Sequence, residues 1–396
     1  MKTISSFYDV LGVGPSADPE TIRKAYRRLA RKHHPDVSSA PDAHENMARI
    51  NEAFMTLNDD ARRSEYNAML AGGTFEVPSE GARRRQPKEP VTVKLTSRLK
   101  AHRTPIYTLA FLPDSGKLIS CGFDNEVILW SPDLEHVEKR THIDGGAISV
   151  IKGFPQNTFI AAGSAESIVS FWKSENGKID SWRAASEEWV SCLAISPDGS
   201  SLATGSLHRQ LSVLNTADGS RRYCREEHAD SVTAVAWSAN GKYLASGSAD
   251  ATVKLYHASS GTVIHTFRQI RSTVTAIALS ADNRFLAVAA VDLSIRVFRM
   301  KDGMLEKMMY GHTRPVEALA FHPNGWLIAS GSRDGSVGLW NAAKGLGNVR
   351  IEASNRPISS LAFSQNGQSL AAAGQDKLVR IWSVSAKDAA AESEAA

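Results

Sequence analysis

Residues 232–256, VTAVAWSANGKYLASGSADATVKLY, contain three short apolar segments separated by two turn sequences. Apolar and small residues alternate along each segment, and Asn240-Gly241 and Asp250 stand where the chain has to reverse. Alternation with a period of two predicts strands, and Asn-Gly or Asp turns of this length join antiparallel neighbours. The stretch therefore predicts three consecutive antiparallel strands.

This pattern recurs along most of the chain. Seven aligned positions, each 42 residues after the last, form what we call the Asp column: Asp124, Glu166, His208, Asp250, Asp292, Asp334 and Asp376. A large apolar residue stands six positions after each of them: Trp130, Trp172, Leu214, Tyr256, Phe298, Trp340 and Trp382. A fixed period of this length is the sequence signature of a repeat architecture.

The period, with its Gly-His and Trp-Asp-like signature, resembles the WD-repeat family. The resemblance covers residues 92–385 and implies an all-β, seven-bladed propeller with four strands in each blade. In that family the repeat is offset from the blade. We therefore expect VTVKLTSRL, at 91–99, to form the outer strand of the blade completed by residues 361–384, and the propeller domain to span 91–385.

The resemblance also implies a hydrogen-bonded relay of His, Ser, Asp and aromatic side chains in three repeats. Its members are His102, Ser120, Asp124 and Trp130; His228, Ser246, Asp250 and Tyr256; and His312, Ser330, Asp334 and Trp340. Each set looks like a catalytic triad, but three copies favour a structural network over an active site. The relay is eroded elsewhere, by Glu166 and His208 in the Asp column and by Ile270 and Ser354 at the His position.

Before the propeller, residues 20–36 read ETIRKAYRRLARKHHPD. Ile22, Tyr26 and Leu29 recur at helical spacing, and six Lys and Arg residues occupy the other faces. Asp18 is a suitable N-cap and Pro19 suits the first helical position. Pro35 disfavours helical geometry at the residue before it, so the helix should end just before His34-Pro35-Asp36.

Residues 5–70 predict four helices, with the stripe of the second facing Met47, Ile50, Phe54 and Leu57 of the third. Phe7, Tyr8, Leu11 and Tyr66 should complete a thin core. FYDVLGV, IRKAYRRLARKHHPD, INEAFMTL and DDARRSEY closely resemble the J-domain of the DnaJ-like co-chaperones in order and spacing. This small all-α helical hairpin is expected to span residues 1–70.

The J-domain resemblance implies docking onto a seventy-kilodalton heat-shock chaperone ATPase, whose ATP hydrolysis the His-Pro-Asp turn accelerates. Asp36 would pair with an arginine of the ATPase, and His34 and Pro35 would fix its direction. The docking face would consist of Arg23, Tyr26 and Arg27. Val37 departs from the basic residue often found after the turn. The alternative without a docking role is that His34-Pro35-Asp36 is an ordinary turn and that the cations of the helix are a solvated surface.

Composition narrows the classes of protein to which the chain could belong. The 396 residues carry a net charge of +4, with the basic residues concentrated in one helix and one linker, which does not favour nucleic-acid binding. Three widely separated cysteines argue against a zinc site and a disulfide framework. No stretch approaches a signal peptide or membrane helix, so we expect a soluble, cytoplasmic protein. Residues 71–90 are expected to be a flexible linker and 386–396 a disordered tail.

The leading hypothesis is a co-chaperone whose propeller recruits a client or assembly partner. The alternative is a scaffold whose J-domain serves only as an interaction module, and a third possibility, a propeller enzyme, lacks a convergent acid, base or metal set in the sequence. We therefore expect no enzyme activity, cofactor or metal. The predicted partner-binding residues are Phe123, Trp189, Leu207 and Arg333. For Trp189 the alternative is that it covers the eroded third blade.

Overall fold

The computed structural model describes residues 7–33, six residues between 50 and 67, and 91–385 apart from short gaps. Those six are Ile50, Ala53, Phe54, Leu57, Arg63 and Asn67, and the gaps are 114, 125, 143–149, 155–157, 164–167, 176–177, 186–189 and 343–345. The chain divides into two compact units, residues 1–88 and 89–396. The predicted linker and tail lie outside the described residues.

The first unit opens with helices α1 (Phe7–Leu11) and α2 (Pro19–His33). The Thr21 backbone N–H donates to Asp18 Oδ1 over 2.7 Å, so Asp18 caps α2 as predicted. The helix extends to His33, the residue before the His-Pro-Asp sequence. No helix in the part of the chain that the structure describes is long and apolar enough to cross a bilayer.

The core of this unit joins α1 and α2 to helical residues further along the chain. It consists of the buried side chains of Tyr8, Leu11, Ile22, Ile50, Ala53 and Leu57, with Phe7, Tyr26, Leu29 and Phe54 at its border. The predicted pairing of the α2 stripe with Ile50, Phe54 and Leu57 is confirmed. The other two predicted members, Met47 and Tyr66, lie outside the described residues.

Arg63 fixes the loop between the two helices. Its Nη2 donates to the carbonyl oxygens of Pro15 and Ala17, over 2.9 and 2.6 Å. Its Nε donates to the Tyr8 hydroxyl oxygen over 3.1 Å, and that hydroxyl donates to Asn67 Oδ1 over 2.7 Å. The Arg63 guanidinium therefore hydrogen-bonds two loop carbonyls and also holds the buried Tyr8 side chain of α1 in place.

The second unit contains seven four-stranded antiparallel sheets. Sheet 1 holds β2 (Ile106–Phe111), β3 (Leu118–Gly122), β4 (Glu126–Trp130) and β5 (Val137–His142); sheet 2 holds β6 (Lys152–Phe154), β7 (Thr158–Gly163), β8 (Ile168–Glu175) and β9 (Lys178–Ala185). Sheet 3 holds β10 (Val190–Ile195), β11 (Ser201–Ser206), β12 (Leu211–Asn215) and β13 (Arg221–Arg225); sheet 4 holds β14 (Val232–Trp237), β15 (Tyr243–Ser248), β16 (Val253–His257) and β17 (Val263–Phe267). Sheet 5 holds β18 (Val274–Leu279), β19 (Phe285–Ala290), β20 (Ile295–Arg299) and β21 (Leu305–Met309); sheet 6 holds β22 (Val316–Phe321), β23 (Leu327–Ser332), β24 (Ser336–Asn341) and β25 (Leu346–Glu352). Sheet 7 holds β26 (Ile358–Phe363), β27 (Ser369–Gly374), β28 (Leu378–Ser385) and, as its outer strand, β1 (Thr92–Lys100).

The sheets follow one another around a ring, with the first strand of each beside the first strand of the next, and β26 of sheet 7 beside β2 of sheet 1. The earliest strand closes this β-propeller. β1 pairs antiparallel with β28 from Thr92 opposite Ser385 to Lys100 opposite Leu378. The predicted offset between repeat and blade is confirmed, and the closure ties the two ends of the repeat array together.

Small residues at equivalent positions let adjacent sheets pack closely. The second strand of every sheet from sheet 3 to sheet 7 carries a fully buried alanine at the same place in the repeat: Ala203, Ala245, Ala287, Ala329 and Ala371. Larger side chains fill the space on either side, for example Phe267 and Phe298, whose rings lie 5.1 Å apart between sheets 4 and 5. The core therefore lies between the sheets.

The turn between the second and third strands has a left-handed residue in sheets 3 to 7. In the five such turns for which the structure gives it, the residue after the Asp column has a positive φ: Arg209, Ala251, Leu293, Gly335 and Lys377. Only Gly335 avoids the steric cost that a side chain meets at such an angle. A Cβ there would also lie 2.0 Å from the Ser354 carbonyl oxygen, so this position requires glycine.

Candidate functional site

The predicted ATPase-docking residues are only partly described. Arg23, Lys24 and Arg28 are exposed on α2, and Lys24 pairs with Glu20 over 3.1 Å. The Tyr26 ring is half-buried and stacks on the Phe54 ring, with centroids 4.0 Å apart, and burial raises the pKa of its hydroxyl. Tyr26 therefore helps to hold the helices together. The Arg27 side chain and His34, Pro35 and Asp36 lie outside the described residues.

The relay of sheet 6 forms a continuous chain of hydrogen bonds. Trp340 Nε1 donates to Ser330 Oγ over 2.7 Å, and Ser330 Oγ lies 2.6 Å from His312 Nε2. His312 Nδ1 lies 3.1 Å from Asp334 Oδ2. Burial raises the pKa of Asp334, but hydrogen bonds from His312 and Ser336 outweigh it and leave the pKa well below its ordinary value. The network therefore holds an ionised carboxylate within hydrogen-bonding distance of His312 Nδ1.

The relay of sheet 4 has the same geometry. His228 Nε2 lies 2.7 Å from Ser246 Oγ, and His228 Nδ1 lies 2.9 Å from Asp250 Oδ2. The Tyr256 hydroxyl takes the place of the indole, 3.2 Å from Ser246 Oγ. Burial opposes ionisation of Asp250, yet hydrogen bonds from the Thr252 hydroxyl, a backbone N–H and His228 lower its pKa to about 2.

The relay of sheet 1 is incomplete, which corrects the prediction. Trp130, Ser120 and His102 are joined by bonds of 2.8 and 2.7 Å, but His102 Nδ1 has no hydrogen-bond partner among the described residues. Burial lowers the pKa of His102 to about 4 despite the nearby Asp124 carboxylate. Glu126 explains the difference.

In the complete relays a hydroxyl two residues after the Asp bonds to its Oδ1: Thr252 over 2.7 Å and Ser336 over 2.6 Å. Sheet 1 has Glu126 at this place, and its carboxylate instead pairs with Arg140 over 2.8 Å. Because Glu126 has no hydroxyl to hold Asp124 Oδ1, the carboxylate is not oriented towards His102. In a repeat with the relay histidine, an Asp-x-Ser or Asp-x-Thr sequence is the signal that distinguishes a complete relay from an incomplete one.

None of the three relays has the access that a nucleophilic site needs. Ser120, Ser246 and Ser330 are completely buried, and each hydroxyl is bonded on both sides within its own sheet. A substrate cannot approach these oxygens without unfolding the sheet. The relays therefore join strands and turns, and they supply no hydrolase chemistry.

Two eroded sheets use an arginine that the sequence reasoning missed. Arg296 in sheet 5 and Arg380 in sheet 7 are 3% and 7% exposed, and each stands four residues after the Asp column. Their Nη2 atoms lie 2.6 Å from Asp292 Oδ2 and from Asp376 Oδ2. These are the sheets in which Ile270 and Ser354 replace the relay histidine. Arginine at this position of a repeat without histidine is the signal that could have found the ion pair.

Several residues just before the Asp column are exposed. Phe123 and Leu207, both predicted partner-binding residues, are 58% and 47% exposed. Arg333, the third, is exposed and pairs with Glu317. Val291, at the same position in sheet 5 and 46% exposed, was not predicted. The fourth predicted residue, Trp189, lies outside the described residues.

These residues share one end of the propeller with the loops that enter the first strands. In five sheets the residue before the Asp column donates its backbone N–H to the loop: Phe123 to Pro105, Ala249 to Ser231, Val291 to Thr273, Arg333 to Pro315 and Gln375 to Pro357, over 2.9–3.1 Å. We call this end the Asp-turn face. The exposed ring of Tyr107 joins it, edge-on to Phe123 with centroids 5.9 Å apart.

Within the described residues, no three His, Cys, Asp or Glu side chains are grouped so that they could hold a metal ion. The Asp-turn face presents exposed apolar side chains and arginines, with the column carboxylates held beneath them.

Family models match both units. A DnaJ domain matches residues 6–67. The WD domain, G-beta repeat matches six segments that together cover more than half of the chain: 93–131, 178–214, 219–257, 261–299, 303–341 and 348–383. The segment between residues 131 and 178, which contains most of sheet 2, has no match in this set.

Curated relatives match a short part of the chain. It is 47% identical over 70 residues to "Chaperone protein DnaJ 1" of Aquifex aeolicus, 54% over 61 residues to "Chaperone protein DnaJ" of Methanothermobacter thermautotrophicus, and 48% over 66 residues to "Curved DNA-binding protein" of Shigella dysenteriae. These segments are 18%, 15% and 17% of this chain and 19%, 16% and 22% of the three relatives. The shared part is thus about a fifth of each relative.

Proposed function

Since the chain belongs to the WD-repeat family and carries a DnaJ domain at residues 6–67, we propose that it is a specialised co-chaperone. Its J-domain stimulates ATP hydrolysis by a seventy-kilodalton heat-shock chaperone, and its propeller recruits a client or assembly partner. The observation that carries the proposal is the match to DnaJ over a segment that contains His34-Pro35-Asp36.

In this proposal Asp36 contacts an arginine of the ATPase, and His34 and Pro35 set its direction. Arg23, Tyr26 and Arg27 form the docking face on α2. The exposure of Arg23 supports this assignment, as does the extent of α2, which brings the helix to the residue before the turn sequence. Docking of a cationic face is steered by complementary charge on the partner.

The propeller is proposed to act by binding, without catalysing a reaction. Its buried relays support this, since their hydroxyls are unavailable to a substrate. We assign it seven blades, because β6–β9 form a four-stranded sheet between sheets 1 and 3 in addition to the sheets of the matched repeats. The exposed Phe123 and Leu207 support a partner-binding role for the Asp-turn face.

The proposed setting is the cytoplasm. Cys121, Cys192 and Cys224 are free, and burial raises the pKa of the first two thiols to about 12, so they remain protonated. DNA binding, which the name of one relative states, is not carried over, because the match covers only 22% of that protein.

A second candidate is a scaffold whose J-domain binds the ATPase without stimulating it. The departure at Val37, where related J-domains often have a basic residue, is the feature that favours it. Both candidates bind the chaperone ATPase, but only the co-chaperone raises its rate of ATP hydrolysis, so a kinetic measurement separates them.

The test is a single-turnover ATPase assay in which the full chain is added to a chaperone ATPase from the same organism, preloaded with ATP. The chain is expected to accelerate hydrolysis, and Asp36→Asn to abolish the acceleration. Asp218→Asn, which removes an exposed carboxylate from a propeller turn, is the matched control and should behave as the parent. No acceleration by the parent, with binding intact, would establish the scaffold instead.

A further inference from the structure

Most of the exposed cations that the structure describes on the Asp-turn face lie on one side of the ring, although Arg209, after the Asp column in sheet 3, is also exposed. Five of them stand on four consecutive sheets, from sheet 5 through sheets 6 and 7 to sheet 1. They are Arg271, Arg314, Arg356, Lys377 and Arg103, and we call this set the basic arc. Four lie in the loops that enter the first strands, and Lys377 follows the Asp column in sheet 7. Sheet 4 has Asp230 at the position of Arg314 and Arg356.

The structure gives these five cations no counter-ion among the described residues. None of them has an ion pair or side-chain hydrogen bond with any residue that the structure describes. The column carboxylates in sheets 5, 6 and 7 are committed elsewhere: Asp292 to Arg296, Asp334 to His312 and Asp376 to Arg380. Glu317, the remaining carboxylate at this end of sheet 6, pairs with Arg333.

This pairing pattern follows from the repeat. The same sheets that lost the relay histidine, sheets 5 and 7, gained an internal arginine, which neutralises the column carboxylate from inside the sheet. Among the described residues, the column carboxylates of these two sheets are therefore not available to pair with the loop arginines Arg271 and Arg356. Exposed like charges along one rim produce a positive potential that attracts an acidic ligand.

Apolar side chains stand at both ends of the basic arc. Val291 is exposed in sheet 5, and Phe123 with Tyr107 is exposed in sheet 1. Aromatic residues and arginine are the residue types that most often anchor protein interfaces. A ligand matching this surface needs carboxylates in its middle and apolar groups beside them.

From this arrangement we propose that the basic arc binds an acidic peptide segment of a partner protein, with a large apolar side chain of that segment packed against Phe123 and Tyr107. The inference rests on the proposed recruiting function and gives the chemical class of the partner. A protein segment fits better than a nucleic acid, because the arc is bordered by exposed aliphatic and aromatic groups and because Asp230 shares the same face.

The test uses the full chain and three labelled probes: a short peptide of Asp and Glu around one Trp and one Leu, its Lys counterpart, and a single-stranded DNA. Fluorescence anisotropy should show binding of the acidic peptide that weakens as salt rises past about 0.15 M, where charges are screened beyond about 8 Å. Binding of the DNA without the acidic peptide would overturn the proposal in favour of a nucleic-acid site.

The triple variant Arg271→Glu, Arg314→Glu, Arg356→Glu is expected to bind the acidic peptide at least about tenfold more weakly, because the reversed charges repel the ligand. The matched control reverses three exposed cations at the other end of the sheets: Arg221, Lys242 and Lys301. Phe123→Ala should weaken binding less and leave its salt dependence unchanged. Equal losses in the triple variant and the control would refute the basic arc.

Failure of this inference is distinguishable from failure of the proposed function. The same triple variant should stimulate the chaperone ATPase as the parent does. If the parent stimulates the ATPase but does not bind the acidic peptide, only the basic arc is wrong. If it binds the peptide through the arc but does not stimulate, the co-chaperone function is wrong and the arc stands as a scaffold surface.

Discussion

The two units of the chain carry their functional information in opposite ways. In the first unit the residues proposed to act are those that match the family pattern, above all His34-Pro35-Asp36 after the basic helix α2. In the propeller the matching residues, such as His312 and Asp334, are buried in structural relays. The residues proposed to bind there, Phe123 and the basic arc, differ from repeat to repeat.

This contrast shows how each unit has to be interpreted. In the first unit the motif shared with the family is itself the segment proposed to act, so resemblance points directly to the proposed site. A ring of repeats uses its shared motif to hold each sheet together, so resemblance identifies the scaffold. The departures in a single sheet, such as Arg380 or Glu126, then become the informative positions.

The largest expected effect tests whether the two units are structurally separate. Deleting residues 91–99 removes most of β1, which pairs along the whole of β28, and it opens the ring. Deleting residues 1–80 removes none of the strands that the structure describes. Differential scanning calorimetry should therefore show a propeller transition lowered strongly, by more than about 10 °C, in the first deletion and unchanged in the second. Equal melting temperatures would contradict the closure by β1.

The next prediction compares the loss of stability on removing Asp376, which pairs with a buried arginine, with the loss on removing Asp124, which does not. Asp376→Ala leaves the Arg380 guanidinium buried without its counter-ion, which should destabilise the propeller by about 3–5 kcal/mol in urea denaturation. Asp124→Ala is the matched control in sheet 1, where the carboxylate does not bond to His102 and the loss should be about 1 kcal/mol. Equal losses would show that the arginine pairing is not the stabilising feature.

A smaller effect concerns pH and the incomplete relay. The pKa of His102 lies at about 4 in the folded chain against an ordinary value of 6.5. The unfolded chain therefore takes up this proton first as the pH falls, and stability is lost progressively between about pH 6.5 and 4. Between pH 7 and 5 the loss should be about 2 kcal/mol and should disappear in His102→Gln.

The control for this pH effect is His257→Gln, at an exposed histidine of sheet 4. It should leave the pH dependence of the urea midpoint as in the parent. An unchanged pH dependence in His102→Gln would mean that another group accounts for the acid sensitivity of the propeller.

The smallest effect lies in the Asp turns. Ala251 has a φ of 62° and Gly335 a φ of 83° at the same place in the repeat. Ala251→Gly should stabilise the propeller slightly, by at most about 1 kcal/mol, because glycine removes the cost of the left-handed conformation. Gly335→Ala should destabilise by more, since its Cβ would meet the Ser354 carbonyl. Changes of the same sign and size would contradict this difference between turns.

Much of the fold was predictable because the repeat fixes strand positions and the order of turns independently of the side chains that vary. The resemblance to the WD-repeat family, in which the repeat is offset from the blade, placed β1 in the last sheet, and helical spacing identified the α2 stripe around Ile22. The first relay was predicted wrongly because the His, Ser, Asp and Trp pattern omits Glu126, whose missing hydroxyl leaves Asp124 unoriented.

The arginine pairs and Val291 were missed for a related reason. A repeat alignment emphasises what is shared, whereas Arg296 and Arg380 occur only where the relay histidine is absent. Exposure also depends on the fold, since Val291 and Val288 are both valines near the same turn but only Val291 lies outside the core. Neighbouring sheets determine that difference, and local sequence does not contain it.

We propose that the J-domain acts on the chaperone ATPase while the propeller independently binds the partner. The most direct measurement follows ATPase stimulation and acidic-peptide affinity on the same preparations of the parent, Asp36→Asn and the Arg271, Arg314, Arg356 triple variant. We expect Asp36→Asn to lose stimulation but keep peptide affinity, and the triple variant to lose peptide affinity but keep stimulation. Loss of both properties in either folded variant, or of neither in both, would contradict this proposal.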